Sequence, residues 1–456
     1  MLLGVKTAIL NQFLPNCRRQ VDKLRSKSFC CSFVKCGTEL VVASQDERIR
    51  FFEQRGPRDR YLLKDIIHVP ITSWSILDVA LTRKGDALCY GTWKDSVFFA
   101  NYVAEVFRSS MAVFSLRFSH RGHEILCGGS DRSLHVFDLQ SMSRVTTIPE
   151  AHADDVNAVC YGDTESNLLY SGGDDGLVKV FDRRAFGELD YQPVGVFAGH
   201  RDGITYIDAR GDDRYLLSNS KDQTVKLWDL RRFSSDDTVR KTVNCVRQQS
   251  WDYRWQPAPP ATYTPLKGET VKLCDTSVIT LRGHSVLHTL VRAKFSPART
   301  GRRFIYTGCA RGEVVRELFV YFLFISSISL EKYKEMEIYD LLGNVQASTE
   351  CSSHSNPVIR RLSGHVAVVR DVDWNPSRNE IWDGVTAIWR WDERHDHITS
   401  SETNQMGAED SCDESYQPLM KRRKAQRRKQ PTRQRRASRI EEPPADAPQH
   451  ELHYSF

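Results

Sequence analysis

The sequence predicts an all-β chain folded as a seven-bladed β-propeller, on three observations. One stretch, Leu216–Phe233 (LLSNSKDQTVKLWDLRRF), holds an apolar run, a tight turn at Lys221–Asp222–Gln223, an alternating strand Thr224–Trp228 and a closing Asp229. The pattern recurs: Asp turns fall at Asp46, Asp95, Asp131, Asp175 and Asp222, spaced 49, 36, 44 and 47 residues apart. That is close to the roughly 40–45 residues of one four-stranded repeat. No composition break marks a separate domain before residue 233.

Taken in order, residues 1–28 are a mixed lead segment with a turn at Phe13–Leu14–Pro15–Asn16. From Phe29 each repeat runs as an apolar strand, a turn, an apolar strand ending in small residues, an Asp turn and an alternating strand. The alternating strands end at Arg50–Phe52, Val97–Phe99, His135–Asp138, Lys179–Asp182 and Lys226–Asp229. Gly283–His284 opens a sixth repeat, through Val291–Phe295 and Phe304–Gly308 to Val314–Val315. Gly364–His365 opens a seventh, ending at Trp389–Asp392. Seven such units close a ring with no long exposed sheet edge. The propeller is therefore assigned to residues 29–392.

Two segments interrupt the ring. Residues 234–280 are a long insertion holding Trp251–Asp252–Tyr253–Arg254–Trp255, followed by the proline-rich Pro257–Pro265. Its aromatics are either an exposed binding hook or a plug against the side of the blade, and the plug is favoured because exposed aromatic clusters are costly. Residues 316–337 read as a retained intron. Removing them joins Val315 to Ile338–Tyr339–Asp340–Leu341 as an ordinary strand, and a partner-binding helix is the rival reading. The seventh repeat is short, with Glu380–Ile381 running straight into Trp382–Asp383–Gly384, and is expected to be the weak point of the ring.

After Asp392 the repeats stop. Residues 393–456 are rich in Ser, Glu, Gln, Pro and Arg, the composition of a disordered tail. Residues 421–439 carry eleven Lys and Arg and no acid, so the chain's formal +6 is a basic tail on a mildly acidic body. The run Lys421–Arg422–Arg423–Lys424 is a nuclear-import candidate, with a solvated tail as the plain alternative. Ser438, after Arg435–Arg436–Ala437, fits a basic-directed kinase. Nucleic acid is an unexpected ligand for an acidic propeller.

Other classes are excluded on residue types. The twelve cysteines show no paired CxxC spacing, so neither zinc nor a disulfide framework is expected. The apolar residues of Met1–Leu14 are broken by Lys6, Asn11 and Gln12, and no cleavage site follows. The longest apolar run, Leu318–Leu330, is too short to span a bilayer. An intracellular protein of nucleus and cytoplasm is expected, without membrane or cofactor.

His200, Ser218, Asp222 and Trp228 suit a buried relay that satisfies polar groups and ties adjacent turns together, and His152 with Asp175 repeats it. A catalytic Ser/His/Asp set needs an exposed nucleophile and an oxyanion hole, so no catalysis is assigned. No GxxxxGK[ST], HExxH or GxSxG occurs, and the chain is not expected to be an enzyme.

Function is expected on the opposite face, where the turns after the third strands lie. There Phe181–Asp182–Arg183–Arg184 and Trp228–Asp229–Leu230–Arg231 place Arg184 and Arg231 one repeat apart. Paired guanidiniums suit carbonyls and carboxylates of a partner, although solvated arginines are an equal reading from residue types alone.

The blades resemble the WD-repeat protein 23 family, also described as cullin-4-associated factor 11. The resemblance runs over roughly residues 27–392. It rests on Trp74–Val79 (WSILDV), His152–Val159 (HADDVNAV), Ser171–Asp175 (SGGDD), Ser218–Thr224 running on to Arg232–Phe233, the WDYRW string at 251–255, and Arg282–His284 through Phe295–Pro297. It implies a WD40 propeller that acts as a substrate receptor of a cullin-4 ubiquitin ligase. It also implies that Asp182, Arg184, Asp229 and Arg231 dock on the ligase's DDB1-type adaptor. Stress-response transcription factors of the cap'n'collar basic-zipper type are the implied substrates. A scaffold in a nuclear RNA-processing or chromatin complex is the alternative.

Overall fold

The computed structural model describes residues 14–390 apart from 23, 25, 56–59, 70–74, 94–95, 100–103, 109–110, 189, 260–274, 311–333, 341–357, 366–367 and 383–386. These residues all lie within one compact unit. Asp95, Lys421–Lys424, Ser438, the tail from 393 and most of 316–337 lie outside the described residues.

Among the described residues the strands pair into seven four-stranded antiparallel sheets. Their inner strands, first to seventh, are Ser28–Val34, Ile76–Leu81, Val113–Phe118, Val156–Tyr161, Ile204–Ala209, Ala293–Phe295 and Asp373–Trp374. Side chains are described on all four strands of five sheets, and on the inner two strands of the second and sixth.

Each sheet is hydrogen-bonded to the next near its inner strand. The Cys30 thiol donates to Leu77 O (3.3 Å), Leu116 N to Asp78 Oδ2 (3.0 Å) and Val159 N to Ser115 Oγ (3.2 Å). Asn157 Nδ2 donates to Ile204 O (3.0 Å) and Phe295 N to Asp208 Oδ2 (2.8 Å). Arg292 N reaches Arg370 O (2.9 Å), and Cys31 N reaches Asp371 Oδ2 (3.0 Å), which returns the cycle to the first sheet. The chain is an all-β propeller.

The repeated sequence features have direct causes. Small residues close the second strands because the next sheet's inner strand passes over them. A Cβ on Gly128 would lie 2.7 Å from Val156, and one on Gly172 would lie 2.5 Å from Ile204. At the Asp turns the carboxylate accepts the N–H two residues on: Asp131 from Ser133, Asp175 from Leu177 and Asp222 from Thr224. The residue between takes positive φ, as at Arg132 (63°), Gly176 (76°) and Gln223 (65°). Faces between sheets are apolar on both sides, so Thr224–Asp229 is buried along its whole length.

Several boundaries differ from those expected. The lead segment 1–28 belongs in part to the sheets. Cys17–Gln20 is the outer strand of the seventh sheet, paired with Ala387–Arg390 in the register Cys17↔Arg390 to Gln20↔Ala387. Leu14 is buried with Phe304, Trp374 and Trp389. The two chain ends thus share one sheet, which removes the free edge either would leave alone. In the insertion, Asp236–Arg247 is a helix, and residues 279–280 already belong to the outer strand Ile279–Arg282 of the fifth sheet. The third strand of the sixth sheet is Lys334–Asp340, which includes the Ile338–Asp340 expected there; Val314–Val315 lie outside the described residues. The short seventh repeat keeps a second strand, Glu380–Trp382, and His365 ends the strand Val358–His365.

Candidate functional site

The polar groups of the fifth sheet sort into two sets at opposite ends of its strands. At the Asp-turn end, His200 Nδ1 meets Asp222 Oδ2 at 3.0 Å and His200 Nε2 meets Ser218 Oγ at 2.7 Å. Trp228 Nε1 donates to the same Ser218 oxygen at 2.7 Å. None of the four residues is more than 1% exposed. Burial pushes the Asp222 carboxyl up, but His200 and the surrounding donors pull it further the other way, and it lies well below the usual carboxylate range. The fourth sheet repeats the arrangement with His152, Asp175 (3.0 Å) and Ser171 (2.7 Å), but Phe181 stands where the indole would be. His284 departs from it: its Nε2 meets Asn219 Oδ1 of the fifth sheet at 2.8 Å and so ties two sheets together. A serine that is fully buried and already shared by an imidazole and an indole cannot attack a substrate. These sets are structural.

At the other end, where the third strands finish, two units present the same geometry. Asp182 accepts from Arg184 N (3.0 Å), Nε (2.9 Å) and Nη2 (2.8 Å). Asp229 accepts from Arg231 N (3.1 Å), Nε (3.0 Å) and Nη2 (2.7 Å). Phe181 and Trp228 just before them are anchored in the core, so each carboxylate has a fixed root. The guanidiniums remain 65% and 66% exposed. Hydrogen bonds from the arginines hold both carboxylates below their usual range, Asp229 the further. The forks therefore persist across the physiological pH range. Each arginine is held in one rotamer by its own Asp, and the outer edge of its planar donor set faces solvent.

The residues between have other work. Arg183 donates to both oxygens of Glu124 in the third sheet (2.7 and 3.0 Å), which stitches neighbouring sheets, while Leu230 packs inward. The third sheet has Gln140 where an arginine would stand, and Asp138 instead accepts Ser141 N at 2.8 Å.

Two further forks were missed from sequence. In the first sheet Arg55 Nε donates to Glu53 Oε2 at 2.6 Å, with Arg55 62% exposed; the signal was an aromatic, an acid and an arginine two residues on, in Phe52–Glu53–Gln54–Arg55. Asp252 accepts from Arg254 N (2.9 Å) and Nε (3.1 Å) inside the WDYRW string. That fork lies on the Asp-turn face, beside Asp202 and Lys221. The same string does not plug the side of a blade. Tyr253 packs beneath Lys221, while Trp255 stands 78% exposed.

Among the described residues no group of three or more His, Cys, Asp or Glu could hold a metal ion, and no helix is long and apolar enough to cross a membrane.

Comparison with known proteins places this geometry. The WD domain, G-beta repeat family matches residues 103–138, 143–182 and 191–229, so the last two matches end on the two forks' aspartates. A DDB1- and CUL4-associated factor 11 homolog of Caenorhabditis elegans is 49% identical over 92% of this chain and 71% of its own length. A protein of the same name from Caenorhabditis briggsae is 46% identical over 92% and 74%. The chain belongs to the DDB1- and CUL4-associated factor 11 family. The LEC14B homolog of Prunus armeniaca is more distant, 34% identical over 84% of this chain. As a member of the factor 11 family, the chain is a non-catalytic WD40-repeat protein.

Proposed function

We propose that this protein is the substrate receptor of a cullin-4 ubiquitin ligase, docking on a DDB1-type adaptor through Asp182–Arg184 and Asp229–Arg231. The observation that carries the reading is the pair of identical forks on adjacent sheets, at the same strand end, with both arginines exposed and already oriented. Orientation by the partner aspartates lowers the rotamer entropy lost on docking, and the free guanidinium edges match carbonyls and carboxylates of an adaptor. The family's name supplies the adaptor and the cullin. We infer that the seven sheets are the blades of one closed ring, which presents the forks on one rim and leaves the Asp-turn face for substrate. The receptor contributes effective concentration and orientation to ubiquitin transfer. Substrates are stress-response transcription factors, and Lys421–Lys424 engage an import receptor that admits the protein to the nucleus.

The test is purification of the tagged full chain and its Arg184→Ala/Arg231→Ala variant. Adaptor and cullin-4 are expected with the wild type and reduced at least about tenfold with the variant, since two charge-assisted contacts are removed. Absence of both from the wild type, or equal recovery with the variant, overturns the reading.

A further inference from the structure

The Asp-turn face carries a pocket built by the long insertion. After Asp229 the chain forms helix α1, Asp236–Arg247, capped at its start by Ser235 and with Asp236 and Asp237 in its first turn. Its Val246 packs where a Cβ on Gly176 would sit (2.6 Å), which docks the helix on the fourth sheet's Asp turn. Gln249 Nε2 then donates to Arg201 O at 3.2 Å. The turn Trp251–Trp255 is held from its far side by His288, whose N donates to Tyr253 O (2.8 Å) and whose ring meets Arg254 O (2.9 Å). Between this turn and the sheets lies a cavity of about 240 Å³ lined by Asp202, Lys221, Trp251, Asp252, Tyr253 and Arg254.

Its charges do not balance. Lys221 is committed to Asp174 at 2.7 Å and sits 4.6 Å from the centre of the Tyr253 ring. Arg254 is committed to Asp252. Asp202 accepts Gly203 N at 2.6 Å; neither it nor Asp155, which lies outside the lining, is in an ion pair among the described residues, and the cation acting on both, Lys221, is already paired with Asp174. The indole N–H of Trp251 is buried in the pocket wall with no acceptor among the described residues. Trp255, next in the chain to the lining residue Arg254, is the most exposed of the large hydrophobic side chains among the described residues.

We propose that this pocket receives one lysine or arginine side chain of a bound protein segment, with Asp202 in its wall supplying the counter-charge, Asp155 outside the lining adding to the negative field, and Trp255 packing on the flanking residues. The size favours a single side chain, since sites for whole small molecules run about 300–1,000 Å³ and are mostly apolar. An exposed tryptophan beside a charged pocket is the composition of a binding hot spot.

The titration of the two carboxyls agrees. Burial, Asp174 and Asp154 push Asp155 up to about 6, against Lys221 and Arg132. Burial also raises Asp202 to about 6, with Asp222 and Asp174 adding to it and Gly203 N and Lys221 opposing. An arriving cation favours their ionised forms, so binding weakens as pH falls through about 6 and both take up protons.

Calling the bound segment a substrate rests on the receptor reading; its cationic chemistry does not. The test uses the purified full chain and fluorescein-labelled short peptide mixtures whose central residue is arginine, lysine, citrulline or glutamate, read by anisotropy. Arginine and lysine mixtures are expected to bind about tenfold tighter than citrulline or glutamate. Asp155→Asn/Asp202→Asn is expected to erase that preference, and Trp255→Ala to weaken both cationic mixtures about fivefold. Equal binding of all four mixtures overturns the proposal, as does a preference unchanged in both variants. Trp255 is too exposed to matter for folding, so its variant decides even if the aspartate pair does not fold. Adaptor recovery with the same variants separates the two readings: cationic preference without adaptor leaves the pocket standing and removes the receptor, and adaptor without preference does the reverse.

Discussion

The fifth and seventh sheets share one topology and are held together by different means. The fifth comes from a single stretch of chain, with three six-residue strands and an inner polar set in which Ser218 Oγ meets His200 Nε2 and accepts from Trp228 Nε1. The seventh takes strands of two, three and four residues from one end of the chain and closes with Cys17–Gln20 from the other. Its indoles Trp374 and Trp382 are buried without an acceptor for Nε1 among the described residues. It is tied to the first sheet instead: Phe33 N donates to Asp373 Oδ2 (2.6 Å), Tyr61 Oη to Glu380 Oε2 (3.2 Å) and Asn375 Nδ2 to Gly37 O (2.9 Å). A long sheet stabilises itself through its own polar set, whereas a short one borrows stability from its neighbours.

Breaking the fifth sheet's relay has the largest expected effect. Asp222→Ala leaves His200 and the Arg201 and Thr224 N–H groups without their acceptor and is expected to cost about 3–5 kcal/mol in denaturant unfolding. The Asp222 carboxyl is depressed in the folded state, so its contribution is present above the unfolded value near about 4 and fades as pH falls below it. The gap between wild type and variant should therefore shrink in acid; a gap constant down to pH about 3 would contradict the depressed carboxyl.

The next effect probes closure. Leu14→Ala empties a buried site shared by the sixth and seventh sheets and is expected to cost about 2–4 kcal/mol. Protease cleavage should begin earliest between the seventh sheet's strands. A loss below about 0.5 kcal/mol would show that the N-terminal segment does not hold the seventh sheet.

The smallest effect compares the two indoles directly. Trp228→Phe removes a donor from Ser218, whereas Trp382→Phe removes an N–H that has no described acceptor. The first should cost about 1 kcal/mol more than the second in parallel unfolding curves, because only it loses a hydrogen bond. Equal losses would mean the seventh sheet satisfies its indole after all.

Legibility followed the range of the interactions. His200, Ser218, Asp222 and Trp228 lie within one repeat, so turn chemistry and strand alternation bring them together in any chain that folds this way. The aspartate–arginine units were legible for the same reason, being set by three consecutive residues after an anchored aromatic. The bond of His284 to Asn219 was not legible, because Asn219 belongs to the preceding sheet. Helix α1 was overlooked inside a polar insertion; Ser235 followed by Asp236 and Asp237 was the available signal.

By itself the sequence determined the repeat, the all-β class, the buried relay and the two forks, since each is encoded within a few tens of residues by alternation, turn residues and an apolar anchor. Tertiary structure alone decided that Cys17–Gln20 completes the last sheet, a pairing of four residues across almost the whole chain with too little pattern to announce itself. It also decided where Asp252 and Arg254 point. That string reads like the other forks, but helix α1 and His288 hold it on the opposite face, against Lys221 and Asp202. Local motifs set how a residue is held; only packing between elements sets what it faces.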